Sequence, residues 1–235
     1  LNALSEAMLE ALKLNLEEIG KSKKIKSVII KASGRAFCPG HDLKEMQEKR
    51  DLENDGGKAY FEKLLSKCTH VMKLIRELPQ PVIAEVQGVA AAAGCQLVAT
   101  CDIAVASEEA SFGVNGVDIG LFCSTPMVAL SRNITRKKAF EMLTTGDFLD
   151  PFQAEKLGLI NKVANSKDLG ICSLEIAEKI ASKLSLAVKI GKKAFYKQAE
   201  MEIDHAYSYA SSVIVENLLY KETNKGINDF LNKKN

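Results

Sequence analysis

A strand, a run of small residues and a helix follow one another at the centre of the sequence, and this feature limits the fold most. Residues 82–86 are apolar and β-branched apart from one alanine and one glutamate, and prolines precede them. Small residues fill 88–94, and helical periodicity extends from about residue 91 to residue 100. A second strand pattern comes next, at 103–106. The alternation of strand, helix and strand is typical of an α/β protein.

The rest of the chain surrounds this unit with one earlier strand pattern, at 27–32, and with amphipathic helices. Residues 35–57 are polar and predict a loop region with a short helix. After residue 125 the pattern is mainly helical. Long terminal helices either cover a core or form oligomer contacts, and the pattern fits both. Helices are predicted at 5–20 (with Ser5 as N-cap), 58–78, 126–133, 136–144, 151–157, 169–198 and 202–231.

Composition and charge argue against several classes of protein. A chain of 235 residues with 46% hydrophobic residues is long enough to bury one sizeable core. A net charge of +2 with interspersed lysines and glutamates does not favour nucleic acid. We expect no membrane span, because no apolar run approaches the roughly 20 residues that one needs. Six scattered cysteines indicate reduced, buried thiols, and three histidines without ligand-like spacing predict no metal site. The sequence enters a helical pattern at once, so any targeting segment is expected upstream.

Two segments follow strands and contain small residues that let a ligand approach the backbone, 36–44 and 88–96. The second opens a helix, whose free N–H groups can hold a carbonyl oxygen or an oxyanion. The alternative is that its small side chains serve close packing of helix against sheet. Neither segment is a phosphate-binding glycine loop, so an ordinary nucleotide-binding α/β protein is a weak third possibility.

Several motifs, in order and with matching spacing along the whole chain, resemble the enoyl-CoA hydratase/isomerase (crotonase) family. They are residues 1–4 (LNAL), 37–46 (FCPGHDLKEM), 81–88 (PVIAEVQG), 93–95 (AGC), 101–106 (CDIAVA), 110–113 (ASFG) with Gly120, and 154–163 (AEKLGLINKV). The resemblance implies an α/β fold with a crotonase-like ββα spiral core in residues 1–165, its first strands lying upstream. It also implies a helical C-terminal oligomerisation region in residues 166–235, which forms homotrimers that can pair into hexamers.

The resemblance also assigns a site for a CoA thioester, with no other cofactor and no metal. The oxyanion-hole N–H groups fall on His41 and Ala93. The family usually has a small residue at the position of His41, but the oxyanion hole can tolerate this change because it uses only the backbone N–H. The imidazole is then either a partly exposed neighbour of the pocket or a catalytic group. The candidates for contacts with the CoA phosphates are Lys44, together with Lys233 and Lys234 from a neighbouring subunit. Residues expected at the ligand are Ala36, Phe37, Gly40, His41, Asp42, Leu43, Lys44 and Gly94.

The chain departs from the family at its catalytic carboxylates. The two hydratase glutamates correspond to Gln96 and Gly116, and the additional aspartate of the dienoyl-isomerase subfamily corresponds to Ser124. Hydration needs groups that accept and deliver protons, which a glutamine and a glycine cannot do. Asp118, two residues after Gly116 in a stretch interpreted as strand-like, is a candidate acid or base. Asp102 is expected to make a structural hydrogen bond at a helix end.

The sequence therefore predicts an acyl-CoA-binding protein of fatty-acid metabolism with doubtful hydratase activity. The first hypothesis is an enzyme that acts on a CoA thioester by another route, as a hydrolase or single-base isomerase. The second is a non-catalytic acyl-CoA-binding or regulatory subunit. Residues 91–99 and 120–126 are most similar to one subgroup of the family, whose eukaryotic members are generally mitochondrial. We therefore expect a mitochondrial location if the chain is eukaryotic and a cytoplasmic one otherwise.

Overall fold

The computed structural model describes residues 1–52 and 54–232. Its strands are β1 (Val28–Lys31), β2 (Ala36–Cys38), β3 (Val82–Val86), β4 (Val89–Ala91), β5 (Ile103–Ser107), β6 (Ser111–Gly113) and β7 (Lys162–Ala164). The helices of the first half are α1 (Glu6–Lys21), α2 (Leu43–Leu52), α3 (Lys58–Glu77) and α4 (Ala93–Thr100). A 3-10 turn (Gly116–Ile119) is followed by α5 (Pro126–Leu130), α6 (Arg136–Thr145), α7 (Pro151–Leu157), α8 (Leu169–Ala181), α9 (Ser185–Gln198), α10 (Ile203–Leu218) and α11 (Lys221–Asn232).

The strands form two parallel sheets that the chain visits alternately. One sheet has the order β1-β3-β5-β7 and the other the order β2-β4-β6, so each pair of successive strands contributes one strand to each sheet. The centre of the first sheet is buried because β3 carries apolar side chains at all positions but Glu85. This alternation, with a helix after β2, β4 and β6, is the predicted ββα spiral, and the fold class is confirmed.

The sequence pattern missed the short strands of the second sheet. β2, β4 and β6 are three residues long each, and β2 lies in the region 35–57 that was predicted to be a loop. Three residues are too few for a period of two to appear in the sequence, and these strands are rich in alanine and glycine. Similarly, two long predicted helices are each divided, between α8 and α9 and between α10 and α11. Apolar periodicity continues across these short connections because the helices on both sides are amphipathic.

Helix α1 begins where its cap was predicted, since the Ser5 hydroxyl accepts a hydrogen bond from the Met8 N–H at 3.2 Å. Helix α4 is buried along its whole length. A methyl group at Gly94 would lie 2.0 Å from the Cys38 carbonyl oxygen, so only glycine lets α4 approach β2 this closely. The close-packing interpretation of the small-residue segment is therefore correct for Gly94. The domain boundary near residue 165 stays a prediction.

The first helix of the C-terminal region packs on the first sheet. The Ser173 hydroxyl of α8 donates to the Glu85 carboxylate of β3, and the Ser27 hydroxyl donates to the Ala177 carbonyl at 3.2 Å. Helices α10 and α11 expose many apolar side chains, among them Ile214, Val215 and Leu231. Within residues 1–52 and 54–232, we find no helix with the length and apolar character required of a membrane span.

Candidate functional site

The loop after β2 presents a backbone N–H group with a fixed direction. The Leu4 N–H donates to the Gly40 carbonyl oxygen at 2.8 Å. The C=O and N–H groups of a trans peptide point in opposite directions, so the His41 N–H points away from Leu4. No acceptor for this N–H occurs among the described residues. Gly40 itself has a φ of 103°, a conformation that favours glycine.

The start of α4 presents a second such group beside the first. Ala93 is the first residue of the helix, and in the described part of the chain its N–H has no acceptor. Ala92, the N-cap, has a φ of 48° and a ψ of −117°, a conformation that L-residues rarely adopt. The Ala92 N–H donates to the Gly113 carbonyl of β6 at 2.9 Å, which holds this turn in place. A methyl group on Gly40 would lie 3.5 Å from the Ala93 nitrogen, so the loop and the helix start are in contact.

One turn along α4 lies Gln96, at the position of the first expected hydratase glutamate. Its side chain is 6% exposed, and its Oε1 atom is buried without a partner among the described residues. Helical side chains tilt towards the N-terminus of their helix, so Gln96 extends towards the turn that holds Ala93. A buried neutral amide therefore occupies the position where the resemblance leads us to expect a base.

The second expected carboxylate position, Gly116, has no free space. Its backbone lies outside the left-handed region. However, a Cβ atom here would lie 2.5 Å from the Leu121 carbonyl oxygen and 2.9 Å from the Cys123 Sγ. Ser124 is exposed, and its hydroxyl donates to the Phe122 carbonyl at 3.3 Å. The loop from residue 121 to residue 124 thus takes up the space beside Gly116.

The imidazole of His41 is half-buried against the start of the chain. Its Nδ1 lies 3.1 Å from the Leu4 carbonyl oxygen, so Nδ1 carries the proton and donates. Its Nε2 is buried and has no partner in the part of the chain that the structure describes. Burial lowers the pKa of His41, against the opposing effects of the Leu4 carbonyl and of the Glu45 carboxylate. The imidazole is therefore neutral near pH 7.

The thiols near the site are protonated. Burial raises the pKa of Cys95, next to Gln96, to about 12, and it raises the pKa of Cys38 and Cys123 as well. A protonated thiol is a poor nucleophile. The six cysteines are free and five of them are buried, as predicted from their scattered positions.

Comparisons with known proteins agree with this geometry. The sequence model described as "Enoyl-CoA hydratase/isomerase" matches residues 1–235. The chain belongs to the enoyl-CoA hydratase/isomerase family.

Two solved structures of the family and one curated relative are close to this chain. Enoyl-CoA hydratase of Mycobacterium smegmatis is 48% identical with a TM-score of 0.94, and the match covers 98% of this chain and 88% of that one. Human enoyl-CoA hydratase domain-containing protein 3 is 44% identical with a TM-score of 0.93, covering 98% and 89%. The mitochondrial rat protein of the same name is 46% identical over 233 residues, covering 99% of this chain and 76% of the rat protein. The subgroup predicted from residues 91–99 and 120–126 is the one that carries this name.

The other residues that were expected to contact a ligand differ in their burial and hydrogen bonds. The side chains of Ala36 and Phe37 are buried, so only their backbone can face a ligand. The Asp42 carboxylate accepts from the N–H groups of Lys44 and Glu45 at 3.0 and 3.3 Å, which caps the start of α2. The side chains of Leu43 and Lys44 are exposed on α2. Lys233 and Lys234 lie outside the described residues.

The strand-like interpretation of the stretch around Asp118 is wrong. Gly116–Ile119 forms a 3-10 turn, in which residues two apart point in different directions. The Asp118 carboxylate is exposed, accepts from the Asn115 side chain at 3.3 Å and lies next to Gly146. The geometric reason for grouping Asp118 with Gly116 therefore no longer applies.

A buried ion pair that sequence reasoning missed supports the far end of α4. The Lys192 ammonium of α9 lies 2.6 Å from the Asp102 carboxylate and donates to the carbonyls of Ile75 and Gln80 at 2.8 and 3.0 Å. The Tyr196 hydroxyl also donates to Asp102, at 2.7 Å. The Val82 N–H completes the set at 2.7 Å, which agrees with the structural role expected for Asp102. The lysine-rich pattern of α9 gives no sign that one of its lysines is buried.

Among the described residues, no cluster of His, Cys, Asp and Glu suits a metal ion.

Proposed function

We propose that this chain binds CoA thioesters, with the thioester carbonyl oxygen between the N–H groups of His41 and Ala93. The observation that carries the proposal is the contact between two backbone segments that each offer an N–H without an acceptor. One of these groups starts a helix, where the helix dipole also favours negative charge. Such a pair is suited to an oxygen that gains electron density.

We further propose that the chain does not hydrate enoyl-CoA at the rate of a two-glutamate enzyme. Gln96 cannot accept a proton near neutral pH, and Gly116 has no side chain. Oxyanion stabilisation alone does not activate water. The proposed function is therefore that of an acyl-CoA-binding or regulatory protein in fatty-acid metabolism.

The alternative is an enzyme that acts on the thioester by another route, as a hydrolase or single-base isomerase. Asp118 is the residue proposed for it, although its carboxylate is exposed beside Gly146. Release of free CoA from a panel of acyl-CoA thioesters, detected with a thiol reagent, tests the hydrolase route. Turnover that disappears in Asp118→Asn would favour this alternative over the non-catalytic one.

Calorimetry tests the binding proposal directly. Butyryl-CoA is compared with butyryl-pantetheine, which has the same thioester without the nucleotide. Lys44→Ala is expected to lower the affinity for butyryl-CoA about threefold, a small effect because an exposed charge contact contributes little. The affinity for butyryl-pantetheine should not change, because this compound has no nucleotide phosphates. Lys31→Ala, an exposed lysine at the end of β1, is the matched control and should change neither. If neither compound binds at about millimolar concentration, the binding free energy is weaker than about −4 kcal/mol, and this result would contradict the proposal.

We also propose that the chain assembles as a homotrimer, which can pair into a hexamer. The apolar side chains on α10 and α11 support this, since Ile214 of α10 is 56% exposed and Leu231 of α11 is 57% exposed. Light scattering that shows only monomer at tens of micromolar would contradict it. A mitochondrial location, if the chain is eukaryotic, is supported by the rat relative, which is named as mitochondrial.

A further inference from the structure

The side chain of His41 is attached to the same short segment that fixes its backbone. Leu4 receives both contacts, because its N–H donates to the Gly40 carbonyl at 2.8 Å and its carbonyl accepts from His41 Nδ1 at 3.1 Å. Leu4 and His41 also pair as a parallel bridge, and the Leu4 side chain is buried in the core. The peptide whose N–H faces the candidate site is thus attached to Leu4 twice, through its own carbonyl oxygen and through the imidazole of His41.

The imidazole makes this contact with one nitrogen only. Nδ1 faces a carbonyl oxygen and therefore carries the proton in the neutral ring. Nε2 is buried without a partner among the described residues. A second proton would place an unpaired donor and a charge in this buried position, which is costly. Burial of Nε2 therefore favours the neutral ring, although the Nδ1 contact with Leu4 is available to both forms.

We propose that the imidazole of His41 is a positioning residue, which holds the Gly40–His41 peptide so that its N–H points at the thioester carbonyl. The inference rests on the proposed thioester site, and it assigns to the side chain a role that acts through the backbone. Where the family usually has a small residue, this chain adds a second hydrogen bond between the loop and the start of α1.

The charged groups around His41 decide its pH dependence. Glu45 of α2 acts on it directly and favours the charged ring, and the Glu45 carboxylate also accepts from the Glu6 N–H at 3.1 Å. The Glu45 carboxylate in turn interacts with Tyr60 and Lys67 on α3, and Tyr60 also interacts with Glu6 on α1 and Asp42 at the start of α2. Burial outweighs Glu45 and lowers the pKa of His41 below the ordinary value of 6.5. The neutral ring therefore predominates at and above pH 6.5, and protonation at lower pH disfavours this position of the loop because it adds a charge and an unpaired donor at the buried Nε2.

Wild type, three variants and two ligands separate positioning from other roles. In asparagine the side-chain nitrogen is attached to Cγ, as Nδ1 is, whereas in glutamine it reaches the place of Nε2. Affinity is measured by calorimetry for butyryl-CoA and for S-butyl-CoA, a thioether without a carbonyl oxygen. The proteins are wild type, His41→Ala, His41→Asn and His41→Gln, each checked by thermal melting. The infrared carbonyl stretch of butyryl-CoA, labelled with carbon-13 at the carbonyl, reports polarisation of the bound thioester.

We expect His41→Ala and His41→Gln to bind butyryl-CoA about tenfold more weakly, the loss expected for one buried hydrogen bond. Both should bind S-butyl-CoA as wild type does, because the thioether has no oxygen to place. His41→Asn should stay within about twofold of wild type, because its amide can replace Nδ1. The carbonyl stretch should shift to lower frequency in wild type and His41→Asn, and less in the other two variants. Wild-type affinity for butyryl-CoA should fall as the pH is lowered below about 6.5, and His41→Asn should not show this step.

Equal losses for thioester and thioether would overturn the inference, since they indicate a packing role only. Rescue by glutamine instead of asparagine would also overturn it, because Nε2 would then be the working atom. If His41→Ala does not fold, the asparagine and glutamine pair and the wild-type pH profile decide. Absence of binding of both ligands to wild type would refute the thioester site itself, and that result is distinct from the others.

Discussion

Restoring the two missing carboxylates is a direct perturbation of the proposed lack of hydratase activity, and the structure predicts that it will succeed only in part. The variants are Gln96→Glu, Gly116→Glu and both together, with Gly116→Ala as a control that adds the Cβ atom without a carboxylate. A Cβ at residue 116 would lie 2.5 Å from the Leu121 carbonyl oxygen. That oxygen cannot easily move, because the Leu121 N–H is bonded to the Gly116 carbonyl at 2.9 Å.

The magnitude follows from this overlap. Real Cβ atoms essentially never come within 3.0 Å of another heavy atom, so the turn must shift. Forcing extra carbon into a packed site costs about 1–3 kcal/mol. For a chain of this length, each kcal/mol corresponds to roughly 2–4 °C in melting temperature, so Gly116→Ala should melt roughly 2–12 °C lower. Cys123→Ala in the Gly116→Ala background should recover only the part of this loss that comes from the Sγ atom, 2.9 Å away.

Hydration of crotonyl-CoA is followed by the loss of absorbance of the conjugated thioester, with thermal melts of the same samples. Wild type should be near background, because each positioned acid or base contributes about 10²–10⁴-fold. The double variant should exceed either single variant, since the two carboxylates act as a unit, but it should remain below an efficient enzyme because the loop has moved. Wild-type hydration at the rate of an efficient enzyme would refute the reasoning, and Asp118 would then be the first residue to test. An unchanged melting temperature of Gly116→Ala would refute the steric part.

Two further predictions concern the supports of α4. Ala92→Gly should stabilise the chain by about 1 kcal/mol in chemical denaturation, because glycine adopts the φ of 48° without strain. This relief should exceed the cost of the greater entropy that glycine gives to the unfolded chain. A lower stability would show that the contacts of the Ala92 methyl group outweigh the relief of strain. Lys192→Met should destabilise the fold by about 3–5 kcal/mol, because it leaves the largely buried carboxylate of Asp102 without its cation. The exposed neighbour Lys193→Met is the matched control, and equal effects of the two lysine variants would contradict the assignment.

Local patterns in the sequence determined the larger elements. The cap at Ser5, the β-branched residues of β3 and the periodicity of α3 each depend on residues close together in the chain. The family resemblance extended this to the spiral fold. It also predicts that Gln96 and Gly116 replace the two hydratase glutamates, since a residue type at an aligned position can be read without coordinates.

Only the tertiary structure decided how these positions are surrounded. The distance from Gly116 to Leu121 depends on a turn whose strand-like interpretation was wrong, and the pairing of Lys192 with Asp102 joins residues 90 apart in sequence. In the same way, Leu4 and His41 are 37 residues apart. Periodicity reports which face of an element is apolar, but it carries no information about which distant polar atom meets another. The contact between the segments that hold the His41 and Ala93 N–H groups, the lack of space at Gly116 and the contact of His41 with Leu4 all come from long-range packing.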